Sequence, residues 1–255
     1  MADILQQIVD NKRREVEAMS ALTLYDCTGR EKVRSMSRAL VASDSGIIAE
    51  FKRRSPSKGD IHPKAMVTDV IPAYTASGAS ACSILTDTPY FGGALTDLAV
   101  ARSLTDIPLL RKDFIVSEFQ IHEAAHFGAD TILLIASALT RDEIEHFTIC
   151  AHRVGLEVLL ELHSMDELDK FCPEVEMVGV NNRNLATFHT DSRLSLNVAR
   201  QLPDNVVKVA ESGLTSMQEV YRLRDAGYRG FLIGETFMRD THPGDALARF
   251  LTNKI

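Results

Sequence analysis

The amino-acid sequence predicts a TIM (β/α)8 barrel with an N-terminal helical extension. From Gly46 onward, eight short apolar runs alternate with helical patterns, which is typical of βαβ units built on a parallel sheet. These units occupy about 200 residues, which is the size and the repeat number of such a barrel. Several of the runs also end in charged or amide residues instead of a turn, which indicates strands that lead to a shared site.

We expect one domain, with the extension over residues 1–45 and the barrel over residues 46–255. Apolar residues recur at helical spacing over residues 4–19, and a weaker helical pattern covers residues 33–41. A chain of 255 residues with 45% hydrophobic residues can bury the large core of a barrel. A doubly wound open sheet is the alternative fold, but no Gly-rich dinucleotide turn follows the first strand.

Eight strands are predicted where the apolar runs lie, over residues 47–50, 80–85, 108–111, 131–135, 157–160, 177–180, 206–210 and 231–233. Capping-box pairs mark the starts of four helices: Ser117 with Gln120, Thr140 with Glu143, Ser164 with Glu167, and Ser216 with Glu219. Four glycines just before a strand mark helix ends, because glycine takes up the left-handed conformation there: Gly78, Gly128, Gly155 and Gly227.

The composition limits the partners of the protein. A net charge of -7 argues against nucleic acid or an anionic membrane surface as the main partner. No apolar stretch reaches membrane-spanning length, and the first residues lack the apolar core of a signal peptide. The cysteines Cys27, Cys82, Cys150 and Cys172 lack paired spacing, which is typical of reduced thiols. We therefore expect a cytoplasmic monomer that acts on a small molecule.

Several of the predicted strands end in side chains that can act as acids, bases or hydrogen-bonding groups. Side chains alternate between faces along a strand, so Glu50 and Lys52 share one face. The carboxyl ends of all strands in a TIM barrel meet at one mouth, where active sites lie. We therefore predict that these residues face one another: Glu50, Lys52, Lys112, Glu161, Asn181, Arg183 and Glu211. Each one alone can be a structural ion pair, but together they can supply both acids and bases.

Two loops near the C-terminus predict an anion site. AESGL over residues 210–214 and LIGET over residues 232–236 place small residues where backbone N–H groups can reach an anion. Loops after strands 7 and 8 form the usual phosphate site of this fold. Each motif alone is more often a plain turn, but their positions together predict a phosphorylated substrate.

These motifs resemble those of the indole-3-glycerol phosphate synthase family of tryptophan biosynthesis. The similarity runs from the N-terminal helix to about Arg239. Its most specific segments are IIAEFKRRSPSKG, SILTDTPYFGG, IPLLRKDFIV, GADTILLIA, GVNNRNL, VAESG and FLIGETFM. The resemblance implies a carboxy-lyase that converts 1-(2-carboxyphenylamino)-1-deoxyribulose 5-phosphate to indole-3-glycerol phosphate, releasing carbon dioxide and water without a cofactor or a metal.

The resemblance also implies the catalytic roles. Lys112 is the general acid that protonates the ribulose carbonyl, and Glu161 stabilises the positive charge that develops on the ring. Lys52, with Glu50 as its carboxylate partner, engages the substrate carboxylate and then assists loss of the hydroxyl. Asn181 positions the substrate by hydrogen bonds.

The same resemblance implies three groups of binding residues. The wall of the site and the orientation of the lysines depend on Arg183, Glu211 and Ser212. The phosphate is held by Ser55 and by the backbones of Ser212, Gly213, Gly234 and Glu235. The aromatic ring lies between the apolar side chains of Phe91, Phe114, Leu133 and Leu185.

The segment HEAAH, over residues 122–126, favours a different chemistry. It has the spacing of a zinc metalloprotease helix, with two imidazoles four residues apart and a glutamate between them. At about 100° per residue, Ile121, Ala124 and Ala125 form the face that packs on the barrel, which turns His122 and His126 toward solvent. The helix also follows strand 3 on the flank of the barrel. We therefore expect two exposed histidines and no metal.

Two other functions fit parts of the pattern. A Schiff-base aldolase of the same fold would use Lys52 or Lys112 as a nucleophilic amine, which requires a deprotonated lysine. The neighbouring glutamates oppose this. A non-catalytic ligand-binding barrel would need no acid and base groups. Borohydride trapping with a keto-sugar phosphate tests the first alternative, and a turnover assay tests the second.

Overall fold

A computed structural model describes residues 4–20, 25, 34–183 and 190–252 of the chain. At its centre, eight parallel strands form a closed barrel, which confirms the predicted fold class and excludes the open sheet. The strands are β1 (Ile47–Phe51), β2 (Ala81–Leu85), β3 (Leu109–Lys112), β4 (Thr131–Ile135), β5 (Glu157–Leu162), β6 (Met177–Asn181), β7 (Val207–Glu211) and β8 (Tyr228–Ile233). Each strand pairs with its neighbours in sequence, and β1 closes the ring against β8.

Helices surround the barrel and cover its two ends. They are α1 (Ile4–Ser20), α2 (Met36–Ala42), α3 (Val67–Ala76), α4 (Thr88–Phe91), α5 (Leu95–Leu104), α6 (Glu118–His126), α7 (Arg141–Arg153), α8 (Arg193–Ala199), α9 (Met217–Asp225), α10 (Glu235–Met238) and α11 (Pro243–Thr252). Short 3-10 segments follow β4 and β5, at Ala136–Ala138 and Met165–Lys170. Within the described ranges, no helix has the length and hydropathy that a membrane crossing requires.

Local sequence signals set many of the helix boundaries. Complete capping boxes start α7 and α9, where Thr140 pairs with Glu143 and Ser216 pairs with Glu219. The four glycines predicted at helix ends all have positive φ, between 75° and 96°: Gly78, Gly128, Gly155 and Gly227. These segments therefore end where the sequence indicates.

The other two predicted capping boxes are wrong. Ser117 caps α6 alone, because the side chain of Gln120 bonds to the backbone of the loop before the helix. Ser164 makes no cap bond, and the carboxylate of Glu167 accepts instead from the backbone N–H of His163. In both places the glutamine or glutamate has another partner within reach.

Each strand contributes at least one apolar side chain to the inside of the barrel: Ile48, Ala81, Leu110, Leu133 and Ile135, Leu159, Met177, Val209 and Leu232. Met36 and Leu40 of α2 belong to the same cluster and are fully buried. Ser35 and Ser37, at the start of α2, bind the carboxylate of Glu157, the first residue of β5. Helix α2 therefore covers the N-terminal end of the barrel.

Helix α1 covers the opposite end, where the strands finish. Three of its side chains line the cavity at that end: Ile4, Leu5 and Ile8. Lys12 is buried, and its Nζ lies 2.9 Å from Asp87 and 3.1 Å from Asp113, which follow β2 and β3. Burial opposes the charge on the lysine, but Asp113 and Asp87 outweigh it and raise the pKa of Lys12 above its ordinary value. These ion pairs fix α1 over the mouth.

Candidate active site

The carboxyl ends of the strands surround a cavity of about 300 Å³. Fifteen of the sixteen predicted site residues line it: Glu50, Lys52, Ser55, Phe91, Lys112, Phe114, Leu133, Glu161, Asn181, Arg183, Glu211, Ser212, Gly213, Gly234 and Glu235. The remaining one, Leu185, lies outside the described residues. The barrel topology brings together side chains that are far apart in sequence, as the strand-end pattern predicts.

Four charged side chains form the top of the barrel interior. Glu50, Lys112, Glu161 and Glu211 come from β1, β3, β5 and β7, the alternate strands that supply one layer of a TIM barrel. Lys112 Nζ lies between two of them, 3.2 Å from Glu161 Oε2 and 2.6 Å from Glu211 Oε2. A layer that is apolar deeper in the barrel is therefore replaced at the mouth by one cation among three carboxyl groups.

The two glutamates beside Lys112 differ in charge. Glu161 accepts from Lys112 and from Asn181 Nδ2 at 3.3 Å, and it lies 3.0 Å from His163 Nε2. Burial opposes its ionisation, but Lys112 and His163 hold the pKa of Glu161 well below its usual range. Burial and the neighbouring Glu161 raise the pKa of Glu211 to about 8, although Glu211 is closer to Lys112. We assign the carboxylate to Glu161, which has two hydrogen-bond donors and an ionic contact with His163, and the proton to Glu211.

The surroundings of Lys112 keep its side chain an ammonium. Burial disfavours the charge, but Glu161, Glu211 and Glu50 together raise the pKa of Lys112 above its ordinary value. A charged lysine donates a proton and is a poor nucleophile. The geometry at Lys112 therefore favours general acid catalysis over the Schiff-base chemistry of an aldolase.

The first strand carries a second ion pair into the cavity. Lys52 Nζ lies 2.7 Å from Glu50 Oε1, as expected for two side chains on the same face of an extended segment. Gly234, at the end of β8, makes room for this carboxylate, because a Cβ there would lie 2.3 Å from Glu50 Oε1. The pair therefore occupies a fixed place beside the loop after β8.

His163 belongs to the site, and the sequence reasoning missed it. Its Nε2 faces Glu161, and its Nδ1 lies 3.1 Å from Ser137 Oγ. Burial disfavours the imidazolium, but Glu161 outweighs this effect and raises the pKa of His163 above its ordinary value. The signal was available in the sequence, because a residue two positions after Glu161 lies on the same strand face.

Backbone from the last two barrel loops lines one end of the cavity. Ser212 and Gly213 follow β7 with φ values of 64° and 76°, and both line the cavity. A positive φ is uncommon for a residue other than glycine, so this turn is held by its surroundings. Gly234 and Glu235 contribute the corresponding loop after β8. Ser55 is buried in a two-stranded antiparallel turn after β1 and lines the same cavity.

Arg183 closes this end of the cavity. Its Nη1 donates to Ser57 Oγ at 2.8 Å, and its Nη2 donates to Glu235 Oε2 at 3.1 Å. Its Nε is buried and has no acceptor among the described residues. A buried guanidinium N–H without an acceptor, beside small-residue loops, suits an anionic ligand.

The remaining wall of the cavity is apolar. The rings of Phe91 and Phe114 lie with their centroids 6.1 Å apart, and both line the cavity together with Leu133. Leu85, at the end of β2, and Ile135, at the end of β4, extend this wall. An aromatic ligand can therefore lie between the phenyl rings and the charged layer.

Comparison with known proteins agrees with this geometry. A sequence profile described as indole-3-glycerol phosphate synthase matches residues 5–250. The chain belongs to the indole-3-glycerol phosphate synthase family. It is 52% identical to an indole-3-glycerol phosphate synthase of Bacteroides thetaiotaomicron, over 98% of each chain. It is 41% identical to one of Laribacter hongkongensis, over 97% of this chain and 98% of the relative.

The barrel itself is shared more widely. A solved structure of thiamine phosphate pyrophosphorylase from Pyrococcus furiosus matches with a TM-score of 0.60, over 85% of this chain and 96% of that chain. The two sequences are 14% identical, so this likeness shows the fold alone. The indole-3-glycerol phosphate synthase family, by contrast, is shown by sequence along nearly the whole chain, which confirms the resemblance stated above.

The HEAAH segment of this synthase-family chain lies on α6, on the flank of the barrel. Glu123 is buried and lies 2.8 Å from Arg111, so its carboxylate is engaged in an internal ion pair. His126 is exposed, as predicted. The prediction for His122 is wrong, because this side chain is partly buried and its Nε2 lies 3.9 Å from Cys150 Sγ of α7. Helix α7 packs against α6 and covers the face that carries His122, which the apolar pattern of α6 alone does not indicate.

Proposed function

We propose that this protein converts 1-(2-carboxyphenylamino)-1-deoxyribulose 5-phosphate to indole-3-glycerol phosphate, with release of carbon dioxide and water. The observation that carries the proposal is the Lys112 ammonium between a carboxylate, Glu161, and a protonated Glu211, in a chain of this family. Ring closure on a ketone needs a proton donor beside a group that stabilises positive charge. This arrangement supports both needs at once.

In the first step, the aromatic carbon that bears the carboxylate attacks the ketone carbon of the ribulose. The carbonyl electron pair moves to oxygen, which takes a proton from Lys112. The ring becomes cationic in the same step, and the carboxylate of Glu161 stabilises it. The distance of 3.2 Å between Lys112 Nζ and Glu161 Oε2 supports this division, because the donor and the stabiliser lie side by side.

In the later steps, carbon dioxide leaves and its bonding electron pair returns to the ring. The hydroxyl formed in the first step then leaves as water, with a proton from Lys52. The adjacent ring carbon loses a proton, and the Glu50–Lys52 pair takes it up, which restores the pair. The contact of 2.7 Å within this pair supports such an exchange. The reaction releases only carbon dioxide and water and consumes the one proton that Lys112 donates, which Lys112 regains from solvent, so no redox cofactor enters its balance.

Three sets of residues are assigned to three parts of the substrate: the reacting atoms with the carboxylate, the phosphate, and the aromatic ring. Asn181, 3.3 Å from Glu161, positions the reacting atoms, while Lys52 also engages the substrate carboxylate. The phosphate is assigned to Ser55, to the backbones of Ser212, Gly213, Gly234 and Glu235, and to the Nε of Arg183. The aromatic ring is assigned to Phe91, Phe114 and Leu133, and the role of Leu185 stays a prediction.

We further infer one domain, with an extension over residues 1–45 and the barrel over residues 46–255, acting as a cytoplasmic monomer that binds no nucleic acid. The net charge of -7 supports the last point, because a phosphate backbone would be repelled. Three cysteines are thiols, Cys82, Cys150 and Cys172, which supports a reducing compartment. Cys27 lies outside the described residues.

The test is the appearance of indole fluorescence when the purified protein meets 1-(2-carboxyphenylamino)-1-deoxyribulose 5-phosphate. We expect turnover by the wild-type protein and a loss of at least about 10²-fold in Lys112→Met. Arg13→Met, on the exposed side of α1, serves as the control and should keep full turnover. A folded wild-type protein that binds the substrate without forming indole would identify a ligand-binding barrel instead.

A further inference from the structure

A second cluster of chemically able side chains lies on the flank of the barrel, between α6 and α7. Glu118 and His122 are four residues apart on α6, and His146 and Cys150 are four residues apart on α7. Residues at this spacing lie on one face of a helix. The two helices pack against each other, so the two pairs face each other.

Three donor atoms of this cluster lie close together, and the fourth residue, His146, contacts one of these three residues. Cys150 Sγ lies 3.9 Å from Glu118 Oε2 and 3.9 Å from His122 Nε2. The donor atoms of Glu118, His122 and Cys150 all lie within 4.8 Å of one another. The other oxygen of Glu118 contacts Nε2 of His146, which brings a fourth donor to the same carboxylate.

We propose that Glu118, His122, His146 and Cys150 form a zinc site that joins α6 to α7. Zinc takes four ligands of the sulfur, nitrogen and carboxylate types in a tetrahedron, with bonds of about 2.0 to 2.3 Å. Those bonds place neighbouring donors roughly 3.3 to 3.7 Å apart. The contacts of 3.9 Å between the two helices are slightly longer, so a bound ion would draw the side chains together. A thiolate and two imidazoles also select zinc over magnesium or calcium, which prefer oxygen ligands.

A surface ion pair and a buried thiol do not account for the cluster. An ion pair explains the contact between Glu118 and His146, whose side chains are 50% and 59% exposed. It gives no reason for His122 and Cys150 to approach the same carboxylate from two helices. The exposed side gives a metal ion a path from solvent, while Cys150, with 6% exposure, closes the cluster on the side of the barrel.

The proposed site differs from a metalloprotease centre. Of the HEAAH residues, only His122 takes part, because Glu123 is paired with Arg111 and the exposed ring of His126 lies against Tyr25 and Phe127. All four zinc positions would be filled by protein groups, as in a structural site. None of the four side chains is among those that line the active-site cavity. Zinc should therefore change the stability of the protein and leave its turnover intact.

The first experiment uses Co²⁺ as a spectroscopic probe in full-length protein that has been freed of metal. We expect one equivalent to produce the intense visible bands of tetrahedral cobalt and a thiolate-to-cobalt charge-transfer band, both removed by an equivalent of Zn²⁺. Cys150→Ser should lose the charge-transfer band, and His122→Gln should lose the tetrahedral bands. His126→Gln, which changes the other histidine of the same motif, should behave as wild type.

The second experiment measures thermal unfolding with and without Zn²⁺. At a free concentration of one hundred times Kd, the ion should raise the Tm by roughly 5 to 10 °C. The rise should be absent in His146→Gln, a surface change that leaves the thiol and the packing in place. Turnover should change by less than twofold when zinc is removed with a chelator.

Three results would overturn the site. The cobalt spectrum could be that of the hydrated ion, the charge-transfer band could persist in Cys150→Ser, or the Tm shift could persist in His146→Gln. If Cys150→Ser does not fold, the His146→Gln and His126→Gln pair still decides the question, because both changes lie on the surface of folded helices.

Discussion

Lys112 and Lys52 face different carboxyl groups, and this difference separates their roles. Lys112 lies between Glu161 and Glu211 at the top of the barrel interior, whereas Lys52 is paired with Glu50 at the end of β1. The ketone must be protonated while the ring closes, and the hydroxyl can leave only afterwards. We therefore propose that Lys112 acts in the first step and Lys52 in the last.

Replacing each lysine by methionine should block a different step of the reaction. Lys112→Met should stop ring closure, so that neither carbon dioxide nor indole forms beyond a trace. Lys52→Met should weaken substrate binding and slow the loss of water by about 10²- to 10⁴-fold, the usual effect of losing one general acid. Rapid-quench analysis should find a ring-closed, decarboxylated species in the Lys52 variant alone. Unreacted substrate in both variants, or the reverse pattern, would refute this division of labour.

His163 should control the acid side of the pH profile. Glu161 must be ionised to stabilise the cationic ring, and His163 helps to hold its pKa low. Removing the imidazolium in His163→Gln should raise the pKa of Glu161 and so move the acid limb of kcat against pH upward. Ser137→Ala is the matched control, because it removes only the contact at Nδ1. A uniform loss of rate at every pH, with the limb unmoved, would indicate a packing role instead.

At the scale of elements, α1 is attached to the mouth by one buried lysine. Lys12 pairs with Asp87 and Asp113 from two different strand-end loops. Because these groups are buried, removing the lysine would leave both carboxylates without a compensating charge. The apolar side chains of the same helix line the cavity. The position of α1 therefore links the stability of the extension to the shape of the substrate site.

Lys12→Met should loosen α1 and raise KM together. Removing one partner of a buried ion pair leaves the others uncompensated, which typically costs about 3 to 5 kcal/mol. Urea unfolding gives the change in stability, and hydrogen exchange should show faster exchange in α1 than in α2. Arg13→Met is the matched control, since its pair with Glu143 is at 3.9 Å with side chains 55% and 37% exposed. Equal effects of the two substitutions would show that Lys12 is not the attachment point.

At the scale of the whole molecule, the buried acids make stability depend on pH. The pKa of Glu211 rises from 4.5 to about 8, so the folded protein binds more protons than the unfolded chain between these values. Stability therefore falls as the pH rises through this window. The raised pKa of His163 acts in the same direction above its ordinary value of 6.5. The lowered pKa of Glu161 contributes stability that is lost only as the pH falls below 4.5.

Glu211→Gln should flatten this dependence. The glutamine cannot ionise, so the part of the slope due to Glu211, at most about 1.4 kcal/mol per pH unit, should disappear between pH 5 and 8. The free energy of unfolding by urea, measured at half-unit steps, tests this. An unchanged slope in the variant would mean that Glu211 is ionised in the folded protein at neutral pH.

The sequence predicts the barrel well because strand-like apolar runs and helical patterns alternate regularly along the chain. Alternation along β1 places Glu50 and Lys52 together, and the polar ends of five strands mark the mouth. Helical periodicity, by contrast, indicates which face of α1 is apolar but not which surface it packs against. The contribution of α1 to the cavity therefore could not be predicted, nor could the contact of His122 with a second helix.

Charge states also depend on structure. Glu161 and Glu211 look alike in sequence, each at the end of an apolar run. They differ because Asn181 and His163 both reach Glu161, while Gly179 leaves space beside Glu211, where a Cβ would lie 2.3 Å from its Oε1. Only the three-dimensional arrangement of donors decides which of the two carries the proton.

Helix α1, which covers the mouth, and the charged layer beneath it come from different parts of the chain. Ile4, Leu5 and Ile8 line the cavity, yet they have no group that can transfer a proton. Substitutions there can change how readily substrate enters and product departs while the acids and bases keep their positions. Laboratory evolution for turnover in the cold or at high temperature therefore has one helix to vary, with the strands that carry the charged layer held constant.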